Sequence, residues 1–108
     1  MTPRFEISFI NRAAVKEYQA LDGSVRAMVN KGLARLAVRA DEIGYPLGGA
    51  LAGCRELKFR ADGIRIVYRI VGERLEIVEI VAIGARDKGR VFEDAKRRVD
   101  DQPTDGSR

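Results

Sequence analysis

Three runs rich in β-branched and aromatic residues, Arg55 to Ala61, Ile64 to Val71 and Leu75 to Ile83, follow one another almost without interruption. No other feature constrains the fold as strongly, because short runs of this kind read as adjacent strands of one sheet. Asp62-Gly63 joins the first two and is a strong hairpin signal. As a two-residue turn it predicts the register: Ala61 faces Ile64, Arg60 faces Arg65, Phe59 faces Ile66, Lys58 faces Val67, Leu57 faces Tyr68 and Glu56 faces Arg69. Alternation then divides the hairpin. Leu57, Phe59, Ala61, Ile64, Ile66 and Tyr68 share a core face, and Glu56, Lys58, Arg60, Arg65, Val67 and Arg69 share the other.

The second face is mostly cationic. Opposed like charges such as Arg60 and Arg65 cost about 0.2–1 kcal/mol in a hairpin. The plain interpretation is a solvated sheet face, with Glu56 and Arg69 as a cross-strand ion pair. The alternative is a surface for a phosphate backbone, since the planar guanidinium fork matches phosphate oxygens. Arg86 and Lys88, just past the third strand, extend that surface, but the strands themselves supply no stacking aromatic.

Elsewhere the periodicities are helical or simpler. Phe5, Ile7 and Phe9 alternate with polar residues from Arg4 to Ile10, the pattern of a half-buried strand. Asn11 is a capping residue for a helix carrying Ala14, Tyr18 and Leu21, which Asp22-Gly23 stops. Ser24 is a second cap candidate, before a long amphipathic helix through Val25, Met28, Val29, Leu33, Leu36, Ala40 and Ile43, ended by Gly44. With so short a link, the two helices form a hairpin that covers one face of a sheet. Tyr45-Pro46-Leu47-Gly48-Gly49 reads as a loop. The Gly48 to Gly53 spacing fails as a nucleotide-binding loop, because Cys54 and Arg55 stand where Lys and Ser or Thr are needed. A short helix from Arg90 to Val99 precedes a polar tail, Asp100 to Arg108, expected to be disordered.

Composition narrows the chemistry. The chain has 108 residues and a formal net charge of +4, enough for one domain, expected over residues 1–99. It contains no histidine, so the usual metal ligand and the usual acid–base side chain are both absent. Its single cysteine, Cys54, has apolar neighbours and reads as a small core residue. No apolar run is long enough for a membrane span, and the N-terminus lacks the continuous apolar stretch of a secretory signal; a cytoplasmic location is expected.

The run CRELKFRADGIRIVYRI, followed by VAIGARDKGRVFEDAKRR, resembles the RelE/ParE superfamily of bacterial toxins from type II toxin–antitoxin systems, and is closer to the RelE branch. The resemblance covers nearly all of the folding part of the chain. It implies an α+β fold: an N-terminal strand, a helical hairpin packed on an antiparallel sheet of about four strands, and a short C-terminal helix. It also implies a metal-independent endoribonuclease with no cofactor, which enters the ribosomal A site of the 30S subunit, cuts mRNA, and is held inactive by a cognate antitoxin. By position, Lys58, Arg65 and Arg86 match catalytic residues of the branch. Glu56 stands where that branch has a lysine, and Phe92 where it has a tyrosine, which leaves a stacking surface without the hydroxyl. Arg60, Arg69 and Lys88 are then expected to bind RNA. A ParE-like toxin that inhibits DNA gyrase, or a module that only binds its antitoxin, shares the same fold.

Overall fold

A computed structural model describes residues 4–72, 76–85 and 89–102. Its elements run β1 (Glu6–Phe9), α1 (Arg12–Gln19), α2 (Gly23–Arg39), β2 (Tyr45–Pro46), β3 (Cys54–Phe59), β4 (Ile64–Val71), β5 (Ile77–Ala85) and α3 (Arg90–Asp101). Among the described residues the sheet has five strands in the order β1-β5-β4-β3-β2, one more than the sequence suggests. The added strand is β2, a two-residue edge in the segment that reads as a loop: Tyr45 pairs with Glu56 and Pro46 with Arg55. The sheet is also mixed rather than antiparallel, since β1 runs parallel to β5. Tight turns force antiparallel pairing only between the strands they join, and two helices and three strands separate β1 from its partner.

Caps follow local chemistry. Asn11 Oδ1 accepts from the Ala14 N–H at 3.0 Å and starts α1 as expected. At α2 the cap is Asp22 rather than Ser24: Asp22 Oδ1 accepts from the Val25 N–H at 3.0 Å, and the Ser24 hydroxyl donates to the same oxygen. The Asp22 carboxyl is held below the usual carboxylate range, chiefly by that backbone N–H. The α-helix closes at Arg39, and residues 41–44 form turns instead of a last helical turn. The α3 helix continues through Asp101, two residues past the expected boundary; the rest of the expected tail, 103–108, lies outside the described residues.

The β3–β4 register corrects the two-residue turn. Phe59 pairs with Ile64, Lys58 with Arg65, Leu57 with Ile66, Glu56 with Val67 and Cys54 with Arg69. Arg60, Ala61, Asp62 and Gly63 form a four-residue loop, in which the Asp62 N–H donates to the Phe59 carbonyl at 3.2 Å. Gly63 closes the loop at φ +65, a conformation that glycine adopts without penalty. Because the slip is two residues, every strand side chain keeps its face while every partner changes.

One core layer lies under α2: Val29, Leu36 and Ala40 pack with Phe5, Leu57, Ile66, Tyr68, Val78, Ile80 and Ile83. Each large aliphatic side chain fully buried there contributes roughly 1.5–3 kcal/mol. The opposite face is not a solvated face. Val67, Cys54, Val81 and Ala82 form a second core with Leu51 and with Val91 and Ala95 of α3. A bulge opposite Val67 and Tyr68 makes this possible, since the pairing jumps from Val67–Ala82 to Tyr68–Ile80. The extra residue, Val81, points with Ala82 into the second core while Ile80 and Ile83 stay in the first. Cys54 is buried as expected, and burial pushes its thiol up.

Tyr68 ties the sheet to the end of α2. Its hydroxyl lies 2.9 Å from the Ala40 carbonyl and 2.8 Å from that of Ile43, within reach of donating to either. Gly44, at φ +83, packs so closely that an added Cβ would sit 2.2 Å from the Tyr68 oxygen. Tyr68→Phe is therefore expected to lower the unfolding free energy by about 1–3 kcal/mol, because it leaves the Ala40 carbonyl without this donor, while the Ile43 carbonyl keeps Arg55 Nε. Urea unfolding followed by circular dichroism checks this.

Candidate nucleic-acid interface

The patch of interest is the part of the second sheet face that α3 leaves uncovered. Lys58 and Arg65 stand opposite each other on β3 and β4, an arrangement that is unfavourable unless an anion intervenes. Glu56, one turn of the pleat away on the same face, is that anion. Its Oε2 accepts from Arg65 Nη1 at 3.0 Å, and its Oε1 lies 3.8 Å from Lys58 Nζ. The Glu56 side chain is only 5% exposed, and both oxygens face cations. The expected Glu56–Arg69 pair is absent because the register differs by two.

Phe92 arrives from α3. Gly84, paired with Arg65, has no side chain, and a Cβ built there would sit 3.3 Å from the Val91 Cβ. That close approach brings the first turn of α3 down beside Arg65. The Arg65 guanidinium sits 4.9 Å from the centroid of the Phe92 ring, a cation–π contact. Phe92 is also half-buried against the second core, so it serves packing as well as the patch. Arg65 Nε is buried and has no hydrogen-bond acceptor among the described residues.

A residue not expected at the site completes it. Tyr45 on β2 is 66% exposed, and Lys58 Nζ lies 5.7 Å from its ring centroid. It supplies a stacking aromatic on the face where β3 and β4 carry none. The signal in the sequence is an aromatic beside a proline next to a strand, but only the β2–β3 pairing shows that it joins the cationic face.

The remaining expected residues fare differently. Arg69 is buried rather than available to RNA: it donates to Glu79 at 2.6 Å and to the Gln102 carbonyl just past α3. A cation there satisfies a helix-end carbonyl and pairs with a carboxylate on the neighbouring strand. Arg60 is exposed but sits in the hairpin loop, not opposite Arg65. Arg86 and Lys88 lie outside the described residues. Described Asp and Glu residues and Cys54 form no cluster suited to a metal ion. No helix among the described residues is long and apolar enough to cross a membrane.

A mixed five-stranded sheet with α2 on one face, α3 on the other, α1 touching both cores and a cationic patch beside α3 is an α+β arrangement of the kind the RelE/ParE resemblance implies. No protein-family model matches the chain. A protein of Escherichia coli named as a RelE-like toxin is 31% identical over 96 residues, spanning 89% of this chain and 98% of its own length. The mRNA interferase toxin RelE of Escherichia coli K12 is 28% identical over 86 residues, 80% of this chain and 88% of that protein. A solved structure of an arginine-substituted Escherichia coli RelE, in complex with a peptide of the antitoxin RelB, aligns with a TM-score of 0.68 at 25% identity, covering 85% of this chain and 94% of that one. The chain belongs to the RelE family of bacterial toxins.

Proposed function

We propose that this chain is the toxin of a type II toxin–antitoxin pair and acts in the cytoplasm as a ribosome-dependent mRNA interferase. The observation that carries this is the patch itself: Lys58 and Arg65, steered by a buried carboxylate and flanked by Phe92, on a member of the RelE family. The relative named as an mRNA interferase supports the same activity.

The chemistry is attack of a 2′-hydroxyl on the adjacent phosphorus, with expulsion of the 5′-oxygen of the next nucleotide and formation of a cyclic phosphate. Charge accumulates on the phosphate oxygens, and fixed guanidinium groups are suited to neutralise it. Arg65 takes that role, and Arg86 is proposed to share it. The Lys58 ammonium is a proton source for the departing oxygen, while the 2′-hydroxyl releases its proton to water. Glu56 is a positioning residue, because both of its oxygens are engaged by Lys58 and Arg65. A site of this kind supplies charge more than a dedicated base, which accords with a reaction in which the ribosome presents the message.

The cognate antitoxin is the second partner. The antitoxin peptide bound by the solved relative supports this. An acidic segment laid over Lys58 and Arg65 would block the message by charge complementarity.

Induced expression with mapping of cut sites is the test. Cuts confined to translated messages are expected; growth arrest with messages intact would overturn the proposal. In the purified reaction on programmed ribosomes, Glu56→Gln should remain within about tenfold of wild type, because an amide oxygen still accepts from Arg65. A loss of a hundredfold or more would make Glu56 the base instead.

A further inference from the structure

Tyr45 is a large aromatic side chain left in solvent, yet the backbone just before it is anchored by two side chains. Arg55 Nε donates to the Ile43 carbonyl at 3.1 Å, and Arg55 Nη2 to the Gly44 carbonyl at 3.3 Å. The Tyr68 hydroxyl reaches the same Ile43 carbonyl, and Gly44 takes φ +83 with the Tyr68 ring against it. Pro46 follows, locking its own φ and pairing with Arg55. The fold thus fixes where the ring emerges from the sheet edge instead of burying it.

Its surroundings point to nucleic acid. Tyr45 pairs with Glu56, so its side chain lies on the face that carries Lys58 and Arg65. Neighbouring strands are about 4.8 Å apart, which puts β2 roughly 10 Å from β4 and brings both within reach of adjacent nucleotides of one strand. The Lys58 ammonium over the ring places a phosphate partner directly beside a base partner. Phe92 flanks Arg65 in the same way. The result is a pair of cations bracketed by two aromatic surfaces, the combination that holds single-stranded nucleic acid by alternating charge and stacking.

We propose that Tyr45 stacks on a base of the message next to the nucleotide whose phosphate Arg65 holds, and so sets base preference on that side of the cut. The inference rests on the RNA-directed function proposed above. A ring on an anchored backbone with one cationic neighbour accepts any base but favours those that stack best, so it biases the choice of site without reading hydrogen bonds.

The test uses the full-length toxin on ribosomes programmed with a message blocked at the cleavage point by a 2′-O-methyl group and carrying 2-aminopurine at successive A-site positions. Wild type should change the fluorescence at one position next to the blocked nucleotide. Tyr45→Ala should abolish that change and weaken binding by roughly ten- to a hundredfold, while Tyr45→Phe keeps both. On unblocked messages, Tyr45→Ala should flatten the preference for the base at that position. Unchanged fluorescence and preference in Tyr45→Ala would overturn the inference, as would a defect confined to antitoxin binding. A fluorescence change without cleavage of the unblocked message would sink the nuclease proposal but sustain the Tyr45 contact. Absence of any bound signal from wild type would overturn both.

Discussion

Replacing Arg65 with alanine should lower cleavage of a ribosome-bound message by about two to three orders of magnitude, the usual cost of removing a fixed group that stabilises developing charge. Several features make Arg65 the focus. It is tethered by Glu56 at 3.0 Å, backed by Phe92 at 4.9 Å, and paired across the sheet with a glycine that lets α3 approach. Its guanidinium is therefore oriented before any message arrives. Arg65→Lys keeps the charge but loses the planar fork and the ring contact, and should recover only part of the rate. Single-turnover cleavage on programmed ribosomes gives the numbers, with thermal melting to confirm that the variants fold. An Arg65→Ala protein that cut within threefold of wild type would remove this residue from the reaction.

The second large effect is on stability. Arg98→Ala should lower the unfolding free energy by up to about 3–5 kcal/mol, because it removes a buried guanidinium from its pair with the half-buried Glu17. Arg98 Nη1 donates to Glu17 Oε1 at 2.9 Å and to the Val81 carbonyl at 3.0 Å, and Nη2 donates to Glu17 Oε2 at 2.8 Å. Glu17 Oε1 also accepts from the Ile83 N–H at 3.0 Å, next to where β1 stops pairing with β5. One side chain from α3 thus satisfies the bulge carbonyl and clamps α1, β5 and α3 together. Loss of the clasp frees α3, and with it Phe92. Urea unfolding should show the deficit, and a double-mutant cycle with Glu17→Gln should show strong coupling between the two sites. The Glu17 hydrogen bonds raise the Arg98 pKa above the ordinary arginine value. A raised folded-state value means the contribution is lost only as pH rises through a strongly alkaline range, so this group should give no pH dependence near neutrality.

Much of the architecture was legible from local pattern. Alternation at Phe5, Ile7 and Phe9 and Asn11 as a cap hold in the structure, as do the three strand runs, the third shifted to Ile77–Ala85 with Leu75 outside the described residues. The partition of the hairpin into two faces also survives, although the turn is four residues long and every cross-strand pair moves by two. The cost of that slip falls on the pairs, which is why Glu56 meets Arg65 and Lys58 instead of Arg69. The burial of Arg69 has a further cause that the strand pattern does not carry. A cation on an alternating strand looks the same whether water or a helix covers it, and α3 covers this one.

Side-chain direction in a strand depends only on odd or even position, so the order of residues alone assigns each side chain of the β3–β4 hairpin to its face. That order could not determine who meets whom across elements. Tyr45, Glu56, Arg65 and Phe92 come from β2, β3, β4 and α3, and Glu17 and Arg98 from α1 and α3, so their encounters depend on strand order, a bulge at Val81 and a helix pressed onto Gly84. Those are settled by burying two apolar faces of one sheet at once. Only the packed tertiary structure therefore turns a basic strand into a site with two cations, a buried anion and two aromatic walls.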